Sequence, residues 1–269
     1  MVKPFFVRTL AGRSPKGRSP GNVPRRSGPD RVWLPLALLL ALAAAPALAA
    51  DPRDVALGRE IAEGAALPRE ITCSRCHGVL GVGRPEEQTP RLAGQPRLYL
   101  RKQLDDFAAG TRLSERMAPV ARALSPAQRE AVAAYYASLH AVPFPEAPYG
   151  EPGLVQAGGV LSALGDAARG IRACEICHAD AGVGIAPSFP YLAGQYAYYT
   201  ERQLLLWKSG MRRNDPLEVM ADIAERLDEE EIRALALYFA RVRPPPAAVS
   251  SPIPVAPIPP PPEAPPSPD

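Results

Sequence analysis

A length of 269 residues allows one to three domains. The formal net charge of +3 misleads, because eight of the 31 lysines and arginines, but only one of the 28 acids, fall in residues 1–49. The rest of the chain holds 23 basic and 27 acidic residues, a net of −4, with no basic run among interleaved aromatics. That balance argues against a nucleic-acid partner.

Residues 1–49 open on a basic stretch rich in proline and glycine, carrying Arg25, Arg26 and Arg31. An apolar run follows over 32–48, with an A-x-A site at Ala47 and Ala49. That order reads as a signal peptide, which places the remainder in the periplasm. Retained rather than cleaved, the same run is almost long enough to span a bilayer and would tie the protein to the membrane. A first domain is expected over 51–142, a linker over 143–157 and a second domain over 158–243. Residues 244–269 are mostly proline and small residues, a composition that buries no core and reads as a disordered, extended tail.

The domain division rests on an internal repeat. C-x-x-C-H at 73–77 recurs at 174–178, an offset of 101, and P-x-L-A-G-Q at 90–95 recurs at 190–195, an offset of 100. The register holds through Tyr99 and Tyr199, Gln103 and Gln203, Phe107 and Trp207, then reaches Met117 and Met220 at an offset of 103. Each copy reads as helical, with almost no β signal. Leu100, Leu104 and Phe107 recur with helical period ahead of Gly110, a stop signal. Ser125 and Pro126 open a further helix running to about Leu139, and its counterpart starts on Asp228 with acids in the first turn. So few large side chains per domain call for another source of stability, such as a large apolar group at the centre.

All four cysteines lie in C-x-x-C-H: Cys73, Cys76 and His77, then Cys174, Cys177 and His178. This is the attachment signature of c-type haem. The two thiols add across the vinyl groups, and the adjoining histidine becomes an axial ligand of the iron. Structural zinc, a dithiol redox pair and disulfides are the alternatives for such cysteines. Zinc does not need a histidine at the same place twice, and a thioredoxin-like motif belongs with a βαβ pattern absent here. The reading is two covalently bound haem c groups.

The sixth ligands follow by elimination. The third histidine, His140, sits at a helix end without a counterpart and reads as a solvated residue favourable to the helix dipole. Beyond the leader the methionines are Met117, Met211 and Met220; the repeat pairs Met117 with Met220, while Met211 aligns with Thr111 and looks incidental. The expected pairs are therefore His77 with Met117 and His178 with Met220. A thioether ligand favours the ferrous iron, raises its potential and fills the last coordination position. Such a site moves single electrons and does no bond chemistry, so no catalytic residue is expected. Pro90 and Pro190, 13 and 12 residues after their histidines, are expected to accept the imidazole Nδ1–H on their carbonyls and fix the ring.

These motifs, with Y-L-R-K-Q at 99–103, A-Y-Y-A-S at 134–138 and G-M-R-R-N-D-P at 210–216, resemble the dihaem class I cytochromes of the cytochrome c4 family over about residues 54–243. The resemblance implies an all-α fold of two tandem class I cytochrome c domains, each wrapped round one covalent haem. It sets the domains face to face with their propionate edges near each other. It also implies periplasmic electron delivery in a respiratory chain, toward a membrane terminal oxidase. The same architecture is similar to the cytochrome subunit of flavocytochrome c sulfide dehydrogenases, which makes a flavoprotein subunit the alternative partner to a membrane oxidase or reductase. A dihaem peroxidase would need an open iron, and the matched methionines argue against one. Asp105 and Asp106 stand where the second copy has Leu205 and Leu206, an asymmetry that fits either a docking surface or the domain interface.

Overall fold

The computed structural model describes residues 50–244, so the leader and the proline tail lie outside the described residues. The first domain runs through α1 (Pro52–Glu63), α2 (Cys73–His77), α3 (Arg97–Ala109), α4 (Met117–Ala123) and α5 (Pro126–Ser138). The second repeats this order as α6 (Pro152–Leu164), α7 (Glu175–His178), α8 (Ala197–Lys208), α9 (Val219–Arg226) and α10 (Glu229–Arg241). Short 3-10 turns and three isolated β-bridges complete the described residues, which contain no strand. No described helix is long and apolar enough to cross a membrane.

Local chemistry explains the boundaries. Asp51 caps α1 through the Arg53 amide, and Pro52 stands at the first helical position. α5 and α10 both begin with a capping box, Ser125 with Gln128 and Asp228 with Glu231. α3 ends on Gly110 in the left-handed region. In each domain the first helix packs on the last, α1 on α5 and α6 on α10. These crossings are closer than a side chain permits: a Cβ on Gly58 would lie 2.0 Å from the Ala131 carbonyl oxygen, and one on Gly158 2.2 Å from that of Ala234. Ile61, Leu100, Val132 and Tyr136 anchor the first core; Leu204, Leu227, Ile232 and Phe239 anchor the smaller second one.

The linker expected over 143–157 is shorter than that, because α6 begins at Pro152. Gly158 is where α6 closes on the α10 backbone. The stretch before α6 is fastened to both domains. Arg91 donates to the Val142 and Pro143 carbonyls, 2.9 Å each. From the second domain Arg243 donates to Pro145 at 2.7 Å and Arg241 to Pro148 at 3.0 Å. Phe144 lies between the guanidiniums of Arg91 and Arg243, at 4.8 and 5.2 Å.

The repeated P-x-L-A-G-Q boxes meet each other across the domain interface. The Gln95 side chain donates to the Tyr191 carbonyl (2.6 Å) and accepts from the Tyr191 amide (3.0 Å). The Gln195 side chain does the same to Arg91, at 3.0 Å in both directions. Each glutamine thus satisfies the backbone of the other domain, as a pseudo-two-fold axis requires.

Candidate haem-attachment sites and the polar domain interface

Both C-x-x-C-H motifs form one short helical turn, α2 and α7. No disulfide joins the four cysteines. Burial pushes the thiols of Cys73 and Cys174 up, each to about 11. Burial also raises Cys76, with the neighbouring Glu87 adding to the effect. A dithiol redox motif works the other way, through a depressed thiol pKa. Among the described residues no group of three or more His, Cys, Asp and Glu side chains is placed to hold a metal ion.

His77 and His178 are both buried. The His77 Nδ1–H donates to the Pro90 carbonyl at 3.0 Å, and the His178 Nδ1–H to the Pro190 carbonyl at 2.9 Å. A carbonyl can only accept, so the proton sits on Nδ1 and the Nε2 lone pair is available. Burial also holds both imidazoles below their ordinary pKa, which keeps them neutral. A neutral, oriented imidazole with an available nitrogen is what an iron requires.

Met117 and Met220 are half-buried, and their settings match. Met117 packs against the apolar cluster that contains Cys73, and Met220 against the one that Cys174 joins. An upstream side chain holds each methionine amide, Ser114 Oγ at 3.1 Å for Met117 and Asp215 Oδ2 at 2.7 Å for Met220. Met211 instead is 60% exposed. His140 is not the solvated residue expected: it is half-buried beside Gly94, and burial holds its imidazole below the ordinary value. Two loop glycines leave room for an aromatic ring of their own domain. A Cβ on Gly81 would lie 2.7 Å from the Tyr136 ring, and one on Gly182 2.8 Å from that of Phe239.

Sequence reasoning missed a polar cluster between the domains. Arg112 and Arg212 are both buried there. Arg112 donates to Gln103 and Gln203 (2.7 Å each) and to the Tyr199 hydroxyl (2.9 Å). Arg212 donates to Gln203 (2.7 Å), Gln103 (3.2 Å) and Asn214 (2.9 Å). Each guanidinium also covers an aromatic ring of its own domain, Phe107 at 4.6 Å and Trp207 at 3.7 Å. Every partner in this set is neutral. The nearby carboxylate, Asp106, is engaged by Lys102 and by Asn214 at 2.6 Å. Burial pushes the Tyr99 hydroxyl up, yet the facing guanidiniums of Arg212 and Arg112 pull it below its ordinary value. Two buried cations without a carboxylate cost several kcal/mol each unless an anionic group joins them. The repeat already carried the signal: Arg112 and Arg212 stand 100 residues apart, and Gln103 and Gln203 interrupt an otherwise apolar helix face.

Asp106, one of the two acids without a counterpart in the repeat, therefore belongs to the domain interface. Asp105 pairs within the first domain, with Arg101 at 2.6 Å and Arg129 at 2.7 Å.

The cytochrome c family profile matches residues 61–140. The thiosulfate dehydrogenase electron acceptor of Stutzerimonas stutzeri (strain A1501) is 43% identical over 182 residues, 67% of this chain and 83% of that protein. Reduced recombinant cytochrome c4 from Pseudomonas stutzeri superposes with a TM-score of 0.61 at 33% identity, covering 70% of this chain and 98% of that one. Thiosulfate dehydrogenase (TsdBA) from Marichromatium purpuratum superposes with a TM-score of 0.63 at 38% identity, over 70% of this chain and 40% of that one. Paired attachment motifs, two class I domains and these likenesses together make the chain a member of the cytochrome c4 family, the electron-transferring class I cytochromes c.

Proposed function

We propose that the protein is a periplasmic dihaem electron carrier that takes electrons from a sulfur-oxidising dehydrogenase of the thiosulfate type and passes them toward a membrane terminal oxidase. The observation that carries this reading is the duplicated motif with its histidine oriented through Nδ1 in both copies. Haem c, when bound, supplies an iron that cycles between two oxidation states one electron at a time.

In this reading Cys73 and Cys76, and Cys174 and Cys177, hold the two groups covalently. His77 with Met117, and His178 with Met220, would ligate the two irons. Pro90 and Pro190 fix the imidazole planes, so neither ligand has to reorient as charge changes. Arg112 and Arg212 would be the residues to hold the carboxylates of the bound groups, which would supply the missing negative charge. That the donor is a dehydrogenase of this kind is supported by the similar protein named an electron acceptor of thiosulfate dehydrogenase. A second reading, a cytochrome subunit within a dehydrogenase complex, is favoured by the longer Marichromatium purpuratum chain, 40% of which this chain covers.

The test is a haem count on the purified holoprotein, followed by stopped-flow mixing with thiosulfate dehydrogenase and thiosulfate. Two haems per chain and rapid reduction are expected. One haem per chain, or rapid binding of carbon monoxide by the reduced protein, would overturn the ligand assignment. Reduction by ascorbate but not by the dehydrogenase would overturn the donor.

A further inference from the structure

The pseudo-two-fold axis makes it possible to compare the two attachment edges position by position, and they differ in kind. On the first edge the loop 84–88 is charged, with Arg84, Glu86 and Glu87 exposed, and Arg75 lies inside the motif itself. This edge is also tied down. The Tyr198 hydroxyl of the second domain donates to the Thr89 carbonyl at 2.7 Å, and the Thr89 hydroxyl donates to the Cys76 carbonyl at 2.5 Å. Arg116 closes the loop on the Glu87 carbonyl at 2.7 Å.

On the second edge most of these positions are apolar. Ile176 replaces Arg75, Ile185 and Pro187 occupy the loop, Phe189 stands for Thr89, and Leu98 stands for Tyr198. The large ones are open to solvent: Ile176 is 66% exposed, Leu98 48%, and Ile185 and Phe189 41% each. Phe189 lies edge-on to the His178 ring, with centroids 6.2 Å apart, so the apolar surface begins at the imidazole. Large exposed apolar side chains concentrated beside one site are the kind of surface that marks an interaction.

The charges nearby indicate the occupant. From 173 to 200 the chain carries Glu175 and Asp180 and no lysine or arginine, whereas 73–100 carries Arg75, Arg84, Arg91 and Arg97 against Glu86 and Glu87. The arginines flanking Leu98 are ion-paired within the first domain, Arg97 with Glu130 at 2.9 Å and Arg101 with Asp105 and Glu130. An apolar centre with an acidic margin fits an apolar centre with a basic margin.

We infer that the attachment edge of the second domain is the docking face for a redox-partner protein presenting an apolar patch ringed by lysine or arginine. The edge of the first domain is not used for this. The assignment rests on the electron-carrier reading and adds to it which half of the molecule meets its partner.

The full-length holoprotein tests it with two reductants. Reduced mitochondrial cytochrome c is a basic protein probe, and ascorbate needs no docking. Ile185→Lys and Leu98→Lys should each slow reduction by the cytochrome about tenfold at low ionic strength, while Arg84→Glu and Glu86→Lys change it less than about twofold. All four variants should keep the wild-type ascorbate rate and visible spectrum, which shows that the haems and fold are intact. Wild-type rates in Ile185→Lys and Leu98→Lys, or equal slowing in the first-domain variants, would overturn the docking face. A wild type that ascorbate cannot reduce would instead overturn the electron-carrier reading. Sedimentation and vesicle binding cover the other occupants. A wild-type dimer that Ile185→Lys dissociates, or binding to phosphatidylglycerol vesicles that it abolishes, would assign the patch elsewhere and overturn the proposal.

Discussion

The two domains agree wherever a histidine must be held and differ wherever the molecule meets something else. The His–Pro bonds match at 3.0 and 2.9 Å, and both helix crossings depend on glycine. The cores do not match: the first gathers Ile61, Leu67, Leu100, Val120, Val132, Tyr135, Tyr136 and Leu139, the second a shorter set around Leu204, Leu227, Ile232 and Phe239. Duplication has kept the parts fixed by haem chemistry and released the rest. The second domain has the smaller cluster of buried apolar side chains.

The largest effect that can break this comparison is at the helix crossings. Gly58→Val and Gly158→Val should each cost about 3 kcal/mol or more, since backbone lies where the new side chain must go. Thermal unfolding followed at the helix and haem bands should show the loss in the substituted domain alone. A single shifted transition would mean that the halves unfold as one unit.

Next in size are the methionines. Met117→His and Met220→His should each lower one midpoint potential, by on the order of 0.1–0.3 V within the roughly 0.8 V that axial ligation spans, and leave the other in place. Met211→Leu should change neither, and a redox titration would show it. Loss of a methionine–iron signature in Met211→Leu would transfer the ligand role to Met211.

The interface glutamines come third. Gln95→Ala leaves the Tyr191 backbone pair unmatched, and Gln195→Ala does the same to Arg91. Each should loosen the domains by about 1–3 kcal/mol. The readout is faster proteolysis of the segment between α5 and α6. Unequal effects would mean that the pseudo-symmetry is geometric but not energetic.

The smallest effect concerns His140, whose place in the second domain is taken by Arg243. Burial lowers the folded pKa of His140, so the unfolded chain binds the proton more readily. Stability of the first domain should therefore be full above about pH 6.5 and decline as pH falls toward the lower folded value. Melting of the first domain between pH 8 and 5 should show this, and His140→Asn should reduce the slope. The second domain should show no such slope from this position.

The helices with strong local signals were legible. α3 with its glycine stop, and α5 and α10 with their caps, follow from a few adjacent residues. α1 and α6 were not recognised, although Pro52 and Pro152, Val55 and Val155, and Gly58 and Gly158 extend the repeat upstream. Glycine inside a helix looks like punctuation until the partner helix is known. The Nδ1 bonds to Pro90 and Pro190 were anticipated from spacing. The arginine–glutamine cluster and the exchange between Gln95 and Gln195 were not, because they exist only once two domains face each other. No local pattern encodes that orientation.

The glutamine exchange has a consequence for how the molecule can be taken apart. Pro90, whose carbonyl orients His77, adjoins Arg91, whose backbone is held by Gln195; Pro190 and His178 stand in the same relation to Tyr191 and Gln95. One domain thus steadies the carbonyl that orients the other domain's imidazole. Cut at the joint, each half would keep its attachment motif but lose the brace behind its ligand. The smallest part that can be moved intact into another protein is the pair.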